Sequence, residues 1–168
     1  MPRAERWQVY TMTKSELVSK LRATRAEWDA LFSDIEPAQM MRPNTVEDWS
    51  IKDVIFHCTR YASTDVHAME AVLQGKPLPR EVMDRTPLDE RNQLDFQASR
   101  ASSLEEVLAQ AHIVFDQLIA LTEAQNEEFL IVPQIFEGVP EPVIIWKQLD
   151  HVCNHYRDHM DAIQRSIG

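Results

Sequence analysis

Glycine is scarce in this sequence, with 3 residues against 9 prolines in 168. So few flexible positions, together with long stretches of Leu, Ala, Glu, Gln and Arg, argue against strands joined by tight turns and favour helices joined by proline-containing loops. The hydrophobic content of 44% is sufficient for a core without disulfides. We therefore predict one all-α domain over residues 1–168, with residues 1–12 as an N-terminal extension.

Basic residues are also few. The chain has 17 Lys and Arg against 27 Asp and Glu, which gives a formal net charge of -10 and a pI of about 5.0. Binding to nucleic acid depends on clustered Lys and Arg that neutralise phosphates, and no such cluster is visible. We expect no nucleic-acid partner.

Long apolar runs are absent, and none approaches the ~20 residues that span a bilayer. Residues 1–11 carry early charges and no apolar segment, so they do not resemble a signal peptide. The two cysteines, Cys58 and Cys153, lie far apart on apolar helical positions, which favours buried thiols over a disulfide. These features predict a cytoplasmic protein that has no membrane partner.

Four segments show the three- and four-residue spacing of apolar positions that is typical of amphipathic helices. They are residues 14–35, 51–74, 104–123 and 143–166. Thr13 with Glu16, and Ser103 with Glu106, form predicted capping boxes at two of the starts. Four such helices predict a four-helix bundle.

The connections between these helices differ in composition. Residues 37–49 and 76–86 are predicted loops, and residues 88–100 are a predicted short extra helix between the second and third long helices. Residues 126–142 contain three prolines and one glycine and are predicted to form a loop across one end of the bundle, where it could line a pocket.

Three histidines fall on the edges of predicted buried stripes. His155 and His159 are four residues apart, so both imidazoles leave the fourth helix on the same side, and His57 occupies a matching edge of the second helix. A divalent metal ion could be held there, although a pair at this spacing is often a solvated helix face. Tyr156 follows His155 where a zinc protease has its glutamate, so proteolysis is disfavoured.

Tyr61, Asp65 and His151 are the candidate proton-transfer residues near these ligands. An unpaired carboxylate on an apolar stripe is costly, so Asp65 is expected either to pair with an arginine or histidine or to face a cavity. Tyr61 suits a pocket wall as well as a core. His151 precedes His155 by one turn and is expected to be a pocket residue or a hydrogen-bond donor to a ligand.

Two segments together resemble the DinB-like superfamily, and within it the ClbS/DfsB branch. Residues 48–57 are similar to its W-S-x-K-D-x-x-x-H segment, and His155-Tyr156-x-x-His159 is similar to its closing H-Y-x-x-H. The resemblance implies an up-up-down-down four-helix bundle, often a homodimer. It also implies a nickel or zinc ion held by His57, His155 and His159. Residues 126–142 lack the tryptophan-centred segment that many relatives carry.

Relatives implied by this resemblance include thiol-dependent transferases and isomerases, and self-protection proteins that hydrolyse an electrophilic warhead. We therefore predict a metal-dependent hydrolase or transferase that acts on an electrophilic small molecule, in detoxification or self-protection. The alternative is a protein of the same fold that sequesters a small molecule without turnover. A third hypothesis is an interaction protein whose histidines have no ligand role.

Overall fold

The computed structural model describes residues 12–168. In this range the chain forms seven α-helices and one 3-10 helix. The α-helices are α1 (Lys14–Ser33), α2 (Pro37–Met40), α3 (Ile51–Leu73), α4 (Leu88–Arg100), α5 (Leu104–Ala124), α6 (Glu127–Ile131) and α7 (Ile145–Ile167); the 3-10 helix is Arg80–Met83.

Four long helices, α1, α3, α5 and α7, form the predicted bundle, and α4 is the predicted extra helix. Both predicted capping boxes are present, at Thr13 and at Ser103. A third capping box joins Ser50 and Asp53 at the start of α3, where the sequence pattern indicated only a cap and a favourable charge. Three of the four long helices therefore begin at positions that the sequence specifies.

The order of the helices around the bundle follows from their contacts. α1 packs against α5 and α7, and α3 packs against the same two helices, so α1 and α3 lie at opposite corners. Lys20 of α1 pairs with Asp150 of α7, and two turns further along both helices Glu27 pairs with Arg157. Since both residue numbers increase together, α1 and α7 are parallel.

The remaining directions correct the expected topology. Arg22 of α1 pairs with Glu123 of α5, whereas Arg25, later in α1, pairs with Asp116, earlier in α5, so these helices are antiparallel. His57 of α3 contacts His155 of α7, whereas the Tyr61 ring, later in α3, lies near His151, earlier in α7, so these are antiparallel too. The four long helices run up-down-down-up, and the expected up-up-down-down order is wrong.

This topology explains the extra helix. α3 and α5 are parallel neighbours, so the chain must return along the whole length of α3 before α5 begins. α4 makes that return: Asp95 contacts His57, and Ser99, later in α4, contacts Asp53, earlier in α3.

Several boundaries differ from the predictions. α1 ends at Ser33 rather than at residue 35. α7 begins at Ile145 rather than at residue 143, because Val143 forms an isolated antiparallel bridge with Gln134. The loops predicted at 37–49, 76–86 and 126–142 contain α2, the 3-10 helix and α6, respectively.

The core is a single cluster of apolar side chains between the long helices. Cys58 and Cys153 are free, buried thiols, as predicted. Met12 is also buried in this cluster, so the core begins inside the predicted extension 1–12, of which residues 1–11 lie outside the described range. Among residues 12–168, no helix combines the length and apolarity needed to cross a membrane.

Candidate metal centre

Three imidazoles from two helices converge at one point. Nε2 of His155 lies 3.2 Å from Nε2 of His57 and 3.2 Å from Nε2 of His159. All three ligand atoms fall within 4.8 Å of one another. His57 is 7% exposed, whereas the other two are half-buried. The structure thus brings together the three histidines that the helical spacing selected.

Asp95 of α4 orients His57. Its Oδ2 lies 3.0 Å from Nδ1 of His57, and its Oδ1 lies 2.9 Å from Nη1 of Arg60. A carboxylate in this position accepts a hydrogen bond from the protonated Nδ1. Nε2 is then the ring nitrogen with a lone pair for an ion. The Trp49 ring packs edge-on against His57, with 5.3 Å between ring centroids.

The segment that resembles W-S-x-K-D-x-x-x-H fixes α4 on α3. Asp53 accepts a hydrogen bond of 2.6 Å from the Ser99 hydroxyl. The buried Lys52 donates to the carbonyl oxygens of Ser99 and Ser102, at 2.7 and 2.8 Å, where α4 ends. These bonds hold the helix that carries Asp95, so the segment positions His57 as well as supplying it.

The environment keeps two of the imidazoles neutral. Burial, and after it the nearby His159, His57 and His151, lower the pKa of His155 to about 3. Burial, and then the nearby His57, lower the pKa of His159 to about 4. Neutral imidazole is the form that binds a metal ion, so both are ready to act as ligands at neutral pH.

The donor set fits a divalent transition metal ion. Two nitrogens that each lie about 2.0–2.1 Å from one ion, at a tetrahedral angle, are about 3.3 Å apart. The two Nε2 separations of 3.2 Å around His155 agree with that value. Nδ1 of His155 is buried and has no hydrogen-bond partner among residues 12–168, so its tautomer is not set by a carboxylate as that of His57 is.

Two adjoining cavities lie beside the histidines. Cavity 1, of about 290 Å³, is enclosed by α3, α7, the 3-10 helix, α6 and the segment 136–143. Cavity 2, of about 240 Å³, lies between α3 and α4 and is lined by His57 and Asp95. Four residues line both cavities: Tyr61, Thr64, Glu81 and Arg91.

Tyr61 and Asp65 lie on the wall of cavity 1. A position at a cavity was one of the two alternatives predicted for each residue. The Tyr61 ring is 4.5 Å from the His155 ring, centroid to centroid. Asp65 hydrogen-bonds with Gln148 of α7, which replaces the arginine or histidine partner that the sequence suggested. Burial raises the pKa of Asp65 to about 7, and burial followed by the charge of Asp65 raises the pKa of Tyr61.

His151 lies further from the centre. It is exposed, and its ring centroid is 5.8 Å from that of Tyr61. Asp95 and Gln148 were not among the residues predicted for the site. Asp95 is a polar residue on a short, weakly apolar helix, so the sequence gives no signal of its role. Gln148 lies seven residues, or two turns, before His155 and shares its face of α7, and this spacing is a signal that could have identified it.

The sequence and the fold were compared with those of known proteins. The sequence profile of the DinB superfamily matches residues 20–163. No curated protein sequence matches the chain.

Solved structures show the same fold at low sequence identity. The colibactin self-resistance protein ClbS, solved in complex with double-stranded DNA, superposes with a TM-score of 0.75 at 16% identity, covering 92% of this chain and 94% of that one. DfsB, described as a sibling lethal factor precursor, gives 0.73 at 17% identity, covering 93% and 95%.

A mycothiol-dependent maleylpyruvate isomerase gives a TM-score of 0.69 at 13% identity, covering 91% of this chain and 67% of that one. At these identities the structural comparisons establish the fold, and both proteins that give the ClbS/DfsB branch its name share it. The profile match covers most of the sequence. The chain therefore belongs to the DinB superfamily.

Proposed function

We propose that this protein is a metal-dependent hydrolase or transferase acting on an electrophilic small molecule. His57, His155 and His159 are the proposed ligands of a divalent ion, nickel or zinc, both of which suit imidazole. The observation that carries the proposal is the convergence of three Nε2 atoms, one of them oriented by Asp95. An ion with three protein ligands leaves positions open, where it can lower the pKa of water or a thiol and polarise an electrophile.

The residues of cavity 1 are placed to move protons. Asp65 has a pKa of about 7, so near neutral pH it exists in both protonation states and can donate or accept a proton. Gln148 hydrogen-bonds with both Asp65 and Tyr61, and Tyr61 packs on His155. This row of side chains connects the carboxyl group with the metal centre. The exposed His151 is assigned the lesser role of exchanging protons with solvent.

A role in detoxification or self-protection is supported by similarity to ClbS, which is described as a self-resistance protein. Sequestration without turnover is the second candidate. The observation that favours it is the lining of cavity 1, which does not include the three histidines. Absence of a nucleic-acid partner, a cytoplasmic location and a homodimer remain predictions from the sequence.

Elemental analysis of protein purified without a histidine tag tests the proposal. We expect close to one nickel or zinc ion per chain. His155→Ala should lose the ion and remain folded, because His155 is half-buried and its ring contacts are with His57, His159 and Tyr61 rather than with the apolar core. The exposed His112→Ala is the matched control and should keep it.

A metal content in His155→Ala equal to that of the unsubstituted protein would contradict the ligand assignment. Binding of a ligand that is unaffected by a chelator, without turnover in the presence of added metal, would instead favour sequestration.

A further inference from the structure

Arg91 has an unusual position between the two cavities. Arg91 is one of the four residues that line both cavities, and Tyr61 is another. Its charge lowers the pKa of Asp84 and acts against the rise in the pKa of Tyr61, so it lies close to both. The residue belongs to α4, the helix that carries Asp95 one turn further on.

The guanidinium of Arg91 has no ion pair or hydrogen bond with any residue in 12–168. Its Nε is shielded from solvent and lacks a partner. Other groups at the cavities differ: Arg60 pairs with Asp95, His67 pairs with Glu81 at 3.0 Å, and Arg85 is exposed and has no shielded donor. A shielded donor on a charged group that lacks a partner carries a desolvation cost, and such a group in a cavity is best explained by an anionic ligand.

The rest of cavity 1 indicates what the anion is attached to. Apolar side chains make up most of the lining of cavity 1, among them Met69, Phe129 and Phe136. Glu81 and Asp84 are nearby and acidic, so a dianion would be repelled, whereas a planar monoanion matches the fork of one guanidinium.

We propose that Arg91 binds a carboxylate of a small molecule whose apolar body occupies cavity 1. The proposed ligand class is an apolar carboxylic acid. The claim that this ligand is a substrate rests on the proposed function, whereas the claim that it binds to Arg91 does not. Arg91 is a specificity residue that places the body of the ligand beside Tyr61 and Asp65.

The test uses two probes of equal shape, 4-phenylbutyrate and the neutral 4-phenylbutyramide, titrated calorimetrically. We expect the acid to bind at least about tenfold more tightly than the amide, because a hydrogen-bonded pair of opposite charges is stronger than a hydrogen bond to a neutral amide. Arg91→Gln should bring the two affinities within about twofold. Arg100→Gln on the same helix, whose side chain is exposed and lies over the Phe96 ring, should keep the preference.

Because a carboxylate can also bind a metal ion, each titration is repeated after treatment with a chelator. The preference should persist in the metal-free protein, which also separates this proposal from that of the metal centre. Loss of the preference on chelation, its retention in Arg91→Gln, or the absence of binding by either probe at millimolar concentration would overturn the assignment.

Thermal unfolding distinguishes recognition from a structural role. Removing a guanidinium whose shielded Nε has no partner should leave the melting temperature of Arg91→Gln unchanged or raise it. A lower melting temperature would assign Arg91 to the fold instead. Arg91→Lys keeps the charge without the fork and should keep only part of the preference; full retention would contradict a bidentate contact.

Discussion

The candidate metal centre and cavity 1 lie side by side but share only part of their structure. The three histidines come from α3 and α7, two long helices of the bundle. These helices also line cavity 1, but most of the remaining wall comes from the 3-10 helix, α6 and the segment 136–143. Long packed helices hold side chains rigidly, whereas connecting segments tolerate change. The residues for chemistry and those for recognition can therefore vary separately in this fold.

The largest effect that separates the two regions is expected at Asp95. Asp95→Asn keeps the size of the side chain but removes the charge that stabilises the Nδ1 proton of His57. Loss of such a partner typically weakens metal affinity about 10–100-fold. We expect that loss in competition titrations with a chromophoric chelator, with 4-phenylbutyrate binding to metal-free protein unchanged. Asp89→Asn, an exposed change on the same helix, is the control.

The next effect is expected at Asp65, on the cavity side. Its pKa rises from 3.8 to about 7 on folding, so between these pH values the folded state binds more protons than the unfolded state. Stability from this group is therefore complete below pH 4 and is lost as the pH rises through 7. Asp65→Asn should raise the free energy of unfolding at pH 8 by about 4 kcal/mol relative to its effect at pH 4.

Urea unfolding at the two pH values measures this difference. Asp116→Asn, at an exposed carboxylate on α5, is the control. An Asp65→Asn effect of equal size at both pH values would show that folding does not raise the pKa of Asp65. Metal content should not change, since Gln148, and none of the three histidines, is the hydrogen-bond partner of Asp65.

The smallest effect is expected at Gly138, which lies in the chain between Phe136 and Val139 of the cavity wall. Gly138 has a φ of +81°, and an added Cβ would lie 2.7 Å from Cε of Met83 in the 3-10 helix. Gly75 has a φ of +63° with open space around it. Either glycine changed to alanine should cost about 1 kcal/mol in the free energy of unfolding, because both positions are left-handed.

Only Gly138→Ala should also weaken the binding of 4-phenylbutyrate, because Met83 must move where two wall segments meet. Equal probe affinities for Gly138→Ala and Gly75→Ala, measured by calorimetry, would show that this contact does not shape the cavity.

The sequence predicted the bundle and the convergence of the histidines because both depend on strong local signals. Capping residues and apolar periodicity mark the long helices, and i, i+4 spacing aligns His155 with His159. The directions of the helices were wrong, since they depend on which faces pack together rather than on any local pattern. Asp95 was missed for a similar reason: its role exists only after α4 folds back along α3.

The apolar spacing of α3 predicts one buried stripe through Val54, Cys58, Tyr61, Asp65, Met69 and Val72. Val54, Cys58 and Met69 are buried, whereas Tyr61, Asp65 and Val72 are half-buried on a cavity wall. A single-stripe prediction assumes one apolar face, but α3 packs against α4, α5 and α7 and so is enclosed on several sides.

The distance along the chain between the ligands has a consequence for folding. His57 and His155 are 98 residues apart, whereas His155 and His159 are four apart. Closing a loop of that length in a flexible chain costs about 4 kcal/mol of entropy, so an unfolded chain can offer an ion only the local pair. An ion therefore binds the native state more tightly than the unfolded one and raises the melting temperature as its concentration increases. In refolding, the moment at which the third ligand engages reports when α3 docks on α7.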